Sequence, residues 1–475
     1  MFLIKKNIVN LFYYAILIAV IIFVGTINIP FNYTEYPSFE GDQTLPDTIE
    51  RTIYVNGIII LLLIFTTLIL FIFLFDNIKY IIFSLFLFSP IFRQINILNF
   101  FFSKLLSSLL LLIFFFKGKY YKLVFQKVPR HFLIGAGIIL TGMFISTNIN
   151  SVSYFPFVRQ LIFFLLIFYI HTYLSIHNLT LINKLVAISV IPIFLDLFFG
   201  LITSNNLGTA FAQTTNIFNS QSAVGAFLFC SLPFFHAHLY KKYGNNVLKA
   251  SWIIEILFLF FAVLTGSRGG LIGILIYTVL LRIKKLSITK ILFTGLILSS
   301  IAFILIQIPF FYKIFRIDNP LSQRDLLLIV GIDVVQHNIF FGTGPGSFSD
   351  AALTYGIDNG VVDLMKGGIW GASTHNVYLD MIIETGILGL FGLFYIFNGI
   401  FKQTKDRDSN FPSRISSSLL FAYIIISFFG TKVIMGGSVS EGLLLWISFL
   451  YIPTLKFDTI NAPESTYNLK SKFLL

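Results

Sequence analysis

Charge is what this chain has least of. Only 11% of its 475 residues are Asp, Glu, Lys or Arg, against about a quarter in an average soluble domain. Its 33 basic and 21 acidic side chains are too few to coat a soluble globule of this length, which excludes a soluble globular enzyme. Cysteine is nearly absent. Cys230 has no partner for an intramolecular disulfide and falls inside an apolar run, so a secreted disulfide scaffold is excluded as well. No internal repeat of fixed period is visible. What is present is apolar: 56% hydrophobic residues, 58 of them Phe, and a mean hydropathy of +0.87. That composition excludes disorder and points to an all-α polytopic integral membrane protein.

The net charge of +12 would suggest nucleic acid on a soluble chain. In a membrane protein it reads as Lys and Arg retained in cytoplasmic loops, with no nucleic acid implied. Apolar runs occur near 8–25, 53–75, 78–92, 95–116, 131–147, 155–174, 180–200, 221–240, 250–265, 269–282, 289–309, 376–400, 415–430 and 439–455. They predict about 12–14 spans, Pro90 and Arg93 interrupting the stretch 78–116. Lys5 and Lys6 precede a run that suits a first span better than a cleavable signal. Basic residues fall in alternate loops, among them Lys117, Lys119, Lys122, Lys127 and Arg130, then Lys241, Lys242 and Lys249, then Lys402, Lys405, Arg407 and Arg414. This puts both termini, including the tail 456–475, in the cytoplasm. The whole of 1–475 reads as one membrane domain. Two external segments stand out: an acidic loop, 26–52, expected as a solvated cap, and a large loop, 310–375. The latter has its own helical pattern in Leu326, Leu327, Ile329, Val330, Val334 and Val335, starting after Ser322-Gln323-Arg324-Asp325.

Charges at the rim of a membrane bundle are costly and each needs a reason. The expected external basic residues are few: Arg159, Arg268, Lys313, Arg316 and Arg324, with His375 just before a span. Arg93 and Arg316 fit snorkelling to headgroups. Arg268 lies in Thr265-Gly266-Ser267-Arg268-Gly269-Gly270, where glycines allow the close backbone approach that suits a ligand. In Ser373-Thr374-His375-Asn376-Val377-Tyr378-Leu379-Asp380, continuing to Glu384 and Gly386, Thr374 is a candidate N-cap. Asn376, Asp380 and Glu384 follow at i, i+4 and i+8 on one helical face, which should turn inward. His375 at its head reads either as a general base or as an interfacial capping histidine. Gly342-Thr343-Gly344-Pro345-Gly346 lacks the Lys-Ser/Thr ending of a P-loop and reads as a turn ending the loop helix, with His337 at that helix's C-terminus. His236 and His238, without a nearby carboxylate in the sequence, make a weak metal site. Asp196 and Glu255 are intramembrane acids, suited to proton relay or to structural hydrogen bonding.

The order of Thr-Gly-Ser-Arg-Gly-Gly at 265–270, Arg324, Asn-Ile-Phe-Phe-Gly-Thr-Gly-Pro-Gly-Ser-Phe at 338–348 and Thr-His-Asn-Val-Tyr-Leu…Glu-Thr-Gly-Ile-Leu-Gly at 374–389 resembles the O-antigen ligase and O-antigen polymerase superfamily. The detailed match runs from about 250 to 400. The resemblance implies a GT-C-like glycosyltransferase of the bacterial inner membrane, working on the periplasmic face, with 310–375 as a periplasmic loop carrying part of the active site. Such enzymes move a glycan from undecaprenyl diphosphate to an acceptor sugar, without a nucleotide sugar, a cofactor or a required metal. By position, His375, Arg268 and Arg324 match the family's essential histidine and arginines, and Arg159 matches a further arginine. Asn376, Asp380 and Glu384 remain candidates for contact with the diphosphate or the acceptor.

The chemistry of the residues agrees with this resemblance. Cleaving an anomeric carbon–diphosphate bond builds negative charge that guanidinium groups meet with forked hydrogen bonds, and the attacking hydroxyl needs a base. The acceptor distinguishes a polymerase, which extends a lipid-linked repeat, from a ligase, which delivers the glycan to lipid A–core. A span count near fourteen leans to the polymerase. Other polysaccharide-assembly proteins are possible partners beside the bilayer itself. The rival from another class is a transporter, such as a lipid-linked oligosaccharide flippase. Carriers place broken helices and charges at the midplane and often contain repeats, whereas the candidate cluster here is expected at the outer surface.

Overall fold

The computed structural model describes residues 28–35, 49–56, 127–176, 221–265, 267–284, 324–355, 373–407, 410–428 and 439–455, with 186, 190 and 194. The helices of eight or more residues are α1 (Arg130–Ile149), α2 (Phe155–Ile176), α3 (Gln221–Tyr243), α4 (Trp252–Leu264), α5 (Arg268–Arg282), α6 (Arg324–Asn338), α7 (Phe348–Tyr355), α8 (Val377–Gln403), α9 (Phe411–Ile426) and α10 (Val439–Leu450). The expected spans at 131–147, 155–174, 221–240, 250–265, 269–282, 376–400, 415–430 and 439–455 coincide with α1–α5 and α8–α10. Those at 8–25, 78–92, 95–116 and 289–309, most of 53–75 and of 180–200, and the tail 456–475 lie outside the described residues.

The chain is an integral membrane protein by its apolar helices. Among the described residues, Arg130–Ile149, Phe155–Thr172 and Val377–Gln403 are long and apolar enough to cross a membrane. Of the other expected spans, α3 runs 23 residues, whereas α4, α5, α9 and α10 come out shorter. With 13 and 15 residues, α4 and α5 reach ~20 and ~22 Å, less than the ~30 Å hydrocarbon core.

One element departs from the all-helical expectation. Within and just beyond the acidic loop, β1 (Asn28–Glu35) and β2 (Ile49–Asn56) pair antiparallel, Asn28 opposite Asn56 and Glu35 opposite Ile49. The segment is thus a hairpin, and its second strand extends to 56, past the expected start of a span at 53. Alternation of Ile49, Arg51, Ile53 and Val55 with polar or aromatic neighbours carries this strand pattern.

The bundle is held by two kinds of contact. Antiparallel α1 and α8 meet through small residues: a Cβ on Gly135 would lie 2.8 Å from Gly392 O, and one on Gly142 2.8 Å from Thr385 O. Backbones this close gain dispersion along the whole helix pair, the usual means of association where lipid supplies no hydrophobic drive. The second contact is α10, buried at every residue from 442 to 450, as expected of a helix that is apolar all round. Its Trp446 meets Phe132 edge-on at 4.6 Å and makes further edge-on contacts with Phe164 and Phe449. Beside the bundle, α6 and α7 share a small core of Leu327, Val330, Val334, Phe348 and Ala352 with Ile383 of α8.

Candidate active site

Several contacts bring the starts of α2, α5 and α8 to one end of the bundle. The Val377 N–H donates to Ser427 O at 2.9 Å, just past the end of α9, and the Tyr378 hydroxyl donates to Ile424 O at 2.8 Å. A Cβ on Gly273, in the first half of α5, would touch Ile426 at 3.2 Å. The beginnings of α5 and α8 therefore flank the same end of α9. The turn after α6 reaches this end too: Gly344 abuts Val152, Gly346 abuts Pro156, and Asn150 Nδ2 donates to Gly342 O at 3.0 Å. So Arg159 on α2, Arg268 on α5 and His375 before α8 belong to one end. In α6, Gly331 packs on Thr374, and Arg324 lies two turns earlier, ~10 Å along the helix axis. The backbone of Arg324 is described, and its side chain lies outside the described residues. Lys241, Lys242, Arg282, Lys402 and Arg414 occupy the opposite ends of their helices.

His375 is half-buried and has φ 54°, a left-handed conformation rare outside glycine and asparagine. Its N–H donates to Ser373 Oγ at 3.3 Å. The cap of α8 is Asn376, whose Oδ1 accepts from Tyr378 N and Leu379 N at 3.0 and 3.2 Å. This corrects the expectation that Thr374 would cap the helix. Thr374 bonds instead to Asp380: its N–H and its hydroxyl both lie 2.9 Å from Oδ1. Either residue type can cap, and tertiary contact with Gly331 places the threonine elsewhere.

The inward stripe of Asn376, Asp380 and Glu384 exists, and all three are buried. Asn376 bonds to the first turn of α8 itself, while Asp380 and Glu384 accept from the protein's own loops. Glu384 Oε1 accepts from Gly346 N at 3.1 Å, holding the Gly-Pro-Gly turn. That turn docks where α8 is broken at Gly386, with φ 68° and ψ −173°. An unbroken helix would have Ile387 N–H donate to Ile383 O. Instead it donates to Ile339 O at 2.8 Å, and Ile383 O accepts from Thr343 N at 2.6 Å and Thr343 Oγ1 at 3.1 Å. The loop helix and α8 thus exchange backbone hydrogen bonds. Thr343 and Asn150 were missed by sequence reasoning, since nothing local marks a residue that completes a distant helix ladder.

At Arg268, Ser267 caps α5 by accepting from Gly270 N at 3.3 Å. The glycines beside the arginine were expected to admit a ligand. Gly270 serves α3 instead, because a Cβ there would lie 2.5 Å from Gly225 Cα; Gly269 faces open space, and Gly266 lies outside the described residues. Arg268 is half-buried and Arg159 exposed.

The opposite end carries a polar cluster that the sequence pattern did not assemble. Glu255 lies 2.6 Å from Arg282 Nη2 and 2.8 Å from His236 Nε2, and Ser251 Oγ donates to it at 2.7 Å. Because a carboxylate only accepts, His236 Nε2 carries a proton, and His236 Nδ1 faces the Tyr277 hydroxyl at 3.2 Å. The histidine therefore does have a nearby carboxylate, on the next helix, and it is a hydrogen-bond partner. Among the described residues no three His, Cys, Asp or Glu side chains gather as a metal site. His337 sits in the last turn of α6 and stacks on Tyr355 at 4.9 Å, a structural placement.

The model of the O-antigen ligase family matches residues 253–394, from α4 to the middle of α8. The matched stretch contains Arg268, Arg324, His375, Asn376, Asp380 and Glu384, and leaves Arg159 outside. No curated protein matches the chain.

Proposed function

We propose, on the similarity of residues 253–394 to the O-antigen ligase family, that the chain transfers a glycan from a lipid diphosphate, undecaprenyl diphosphate in bacteria, to a sugar hydroxyl. The observation that carries this reading is that His375 and the starts of α2 and α5, which bear Arg159 and Arg268, lie at the same end of the bundle, opposite the lysine-rich helix ends. His375 takes the proton of the acceptor hydroxyl. The freed oxygen bonds to the anomeric carbon from the face opposite the leaving group, so the configuration inverts. The carbon–oxygen bond to the diphosphate breaks, and its electron pair stays on the lipid diphosphate. Arg268 and Arg324 stabilise that charge, and a placed base contributes about 10²–10⁴-fold. The charge distribution fits a periplasmic site in the inner membrane, with both termini cytoplasmic.

We favour extension of a lipid-linked repeat, as a polymerase, on the expected span count. Delivery to lipid A–core is the second reading, supported by the family's description as O-antigen ligase. The test is the surface-glycan profile of cells lacking the protein, restored with wild type or His375→Ala. Core bearing a single repeat identifies a polymerase, and bare core with long glycans left on the carrier lipid identifies a ligase. Restoration by His375→Ala at the wild-type level refutes the base assignment. An unchanged profile on deletion refutes glycan transfer and favours a carrier.

A further inference from the structure

Resting on His375 as the base, we propose that Asp380 is the positioning residue that aims it, acting through Thr374 and not on the substrate. The argument begins with the backbone. At φ 54°, His375 occupies a region that L residues keep only when their neighbours hold them there. Both neighbours are held. Asn376 caps α8 through Tyr378 and Leu379. Thr374 is fixed from three directions: its N–H and hydroxyl reach the same oxygen of Asp380, its Oγ1 accepts from Asn376 N at 3.1 Å, and its methyl fills the space over Gly331 of α6.

Asp380 is 2% exposed and stands one turn inside α8, on a rigid helix. Its Oδ1 accepts from a backbone amide and a hydroxyl together, two bonds anchored at a buried helical position. It thereby ties the loop before the helix to the helix itself. The histidine lies between the two tied residues, so its Cα and the direction of its side chain follow the position of Asp380. A base must stand within hydrogen-bond reach of the proton it takes, and a misplacement of about 1 Å can cost about 100-fold in rate.

The test uses the full chain in proteoliposomes, supplied with the lipid fraction of cells lacking the protein, which contains lipid-linked oligosaccharide and acceptor. Asp380→Asn keeps an oxygen that accepts from Thr374 and should hold kcat within about threefold, while Asp380→Ala should lower kcat about 30- to 100-fold with KM within about twofold. Thr374→Val keeps the amide bond and loses the hydroxyl bond; its kcat should fall about tenfold. The double variant should be no slower than Asp380→Ala, because both changes break one linkage.

Asp380→Asn as inactive as Asp380→Ala would overturn the proposal, as would a loss confined to KM, which would make Asp380 a substrate contact. Full turnover by Asp380→Ala would overturn it too. Should that variant fail to reach the membrane, Thr374→Val carries the test, and full turnover there overturns the linkage. Hydrogen exchange separates this proposal from the reading beneath it. Equal turnover by wild type and His375→Ala removes the base assignment and with it the aiming role. The Thr374 amide exchanging no faster in Asp380→Ala than in wild type removes the tether itself.

Discussion

Replacing Gly386 by Ala tests the backbone exchange between α8 and the turn after α6. Gly386 holds φ 68° and ψ −173°, a region open essentially to glycine alone, where another residue costs about 1–3 kcal/mol. A Cβ there would also lie within 2.6 Å of the Phe340 carbonyl carbon. That obstacle is backbone, so no rotamer change relieves it. The alternative is for α8 to close its ladder, returning Ile387 N–H to Ile383 O. Ile339 O would then lose its donor, and Thr343 would share an acceptor it now bonds twice. Two lost or weakened bonds at about 1 kcal/mol each give a similar sum. Either route destabilises the docked turn by about 2–3 kcal/mol, or roughly 30- to 150-fold in its docked-to-undocked ratio. The assay is hydrogen exchange on the purified protein. The Thr343 and Gly346 amides should exchange faster by about that factor, while amides in α1 and α10 remain as protected as in wild type. Exchange at Thr343 within threefold of wild type would refute the reasoning.

Three further outcomes follow from the described contacts. Glu255→Ala should lower stability by about 2 kcal/mol, read as a drop in thermal midpoint in detergent. It removes the partner of buried His236, and the Arg282 side chain, 41% exposed, recovers part of its loss from solvent. Arg407→Lys should cost about 2 kcal/mol in the same assay. The guanidinium donates to Leu280 O, Ile283 O, Lys284 O and Ser417 Oγ, and an ammonium cannot span these acceptors at the end of α5. Asn376→Ala should destabilise the start of α8 by about 1 kcal/mol, with Asn376→Ser restoring most of it, read by exchange at Tyr378 and Leu379.

The sequence made the helical elements legible because a membrane leaves few alternatives. Long apolar runs bounded by basic residues gave α1, α2 and α8 nearly to the residue, and Ser322-Gln323-Arg324-Asp325 marked the start of α6. The glycine turn at 342–346 was equally readable, since its residues demand positive φ. The hairpin at 28–56 was not, because prolines and acids in that loop masked the alternation of its strands. Partnerships were the hardest to read. Glu255 and His236 are 19 residues apart on adjacent helices, and Arg407 reaches a carbonyl 123 residues away; no periodicity encodes either. The exchange of cap between Thr374 and Asn376 shows the same limit at short range. Local propensity allows both, and contact with α6 decides.

The candidate site depends on α8 over two turns. Between Asp380 and Ile387 the helix fixes the His375 loop through Thr374, the α6 turn through Ile383 and Ile387, and the Gly-Pro-Gly segment through Glu384. A base and a guanidinium on separate loops would drift independently, and each would need its own ordering entropy during reaction. Docking both loops on one broken helix ties the proposed base, His375, to the loop helix that begins at Arg324. The break at Gly386 is what makes this possible, because an intact ladder would leave no free carbonyl at Ile383 and no free N–H at Ile387. Substitutions on this stretch should therefore disturb transfer more than equally buried substitutions elsewhere on α8, such as those facing α1 near Gly392. Their effect should appear in turnover before it appears in the thermal midpoint.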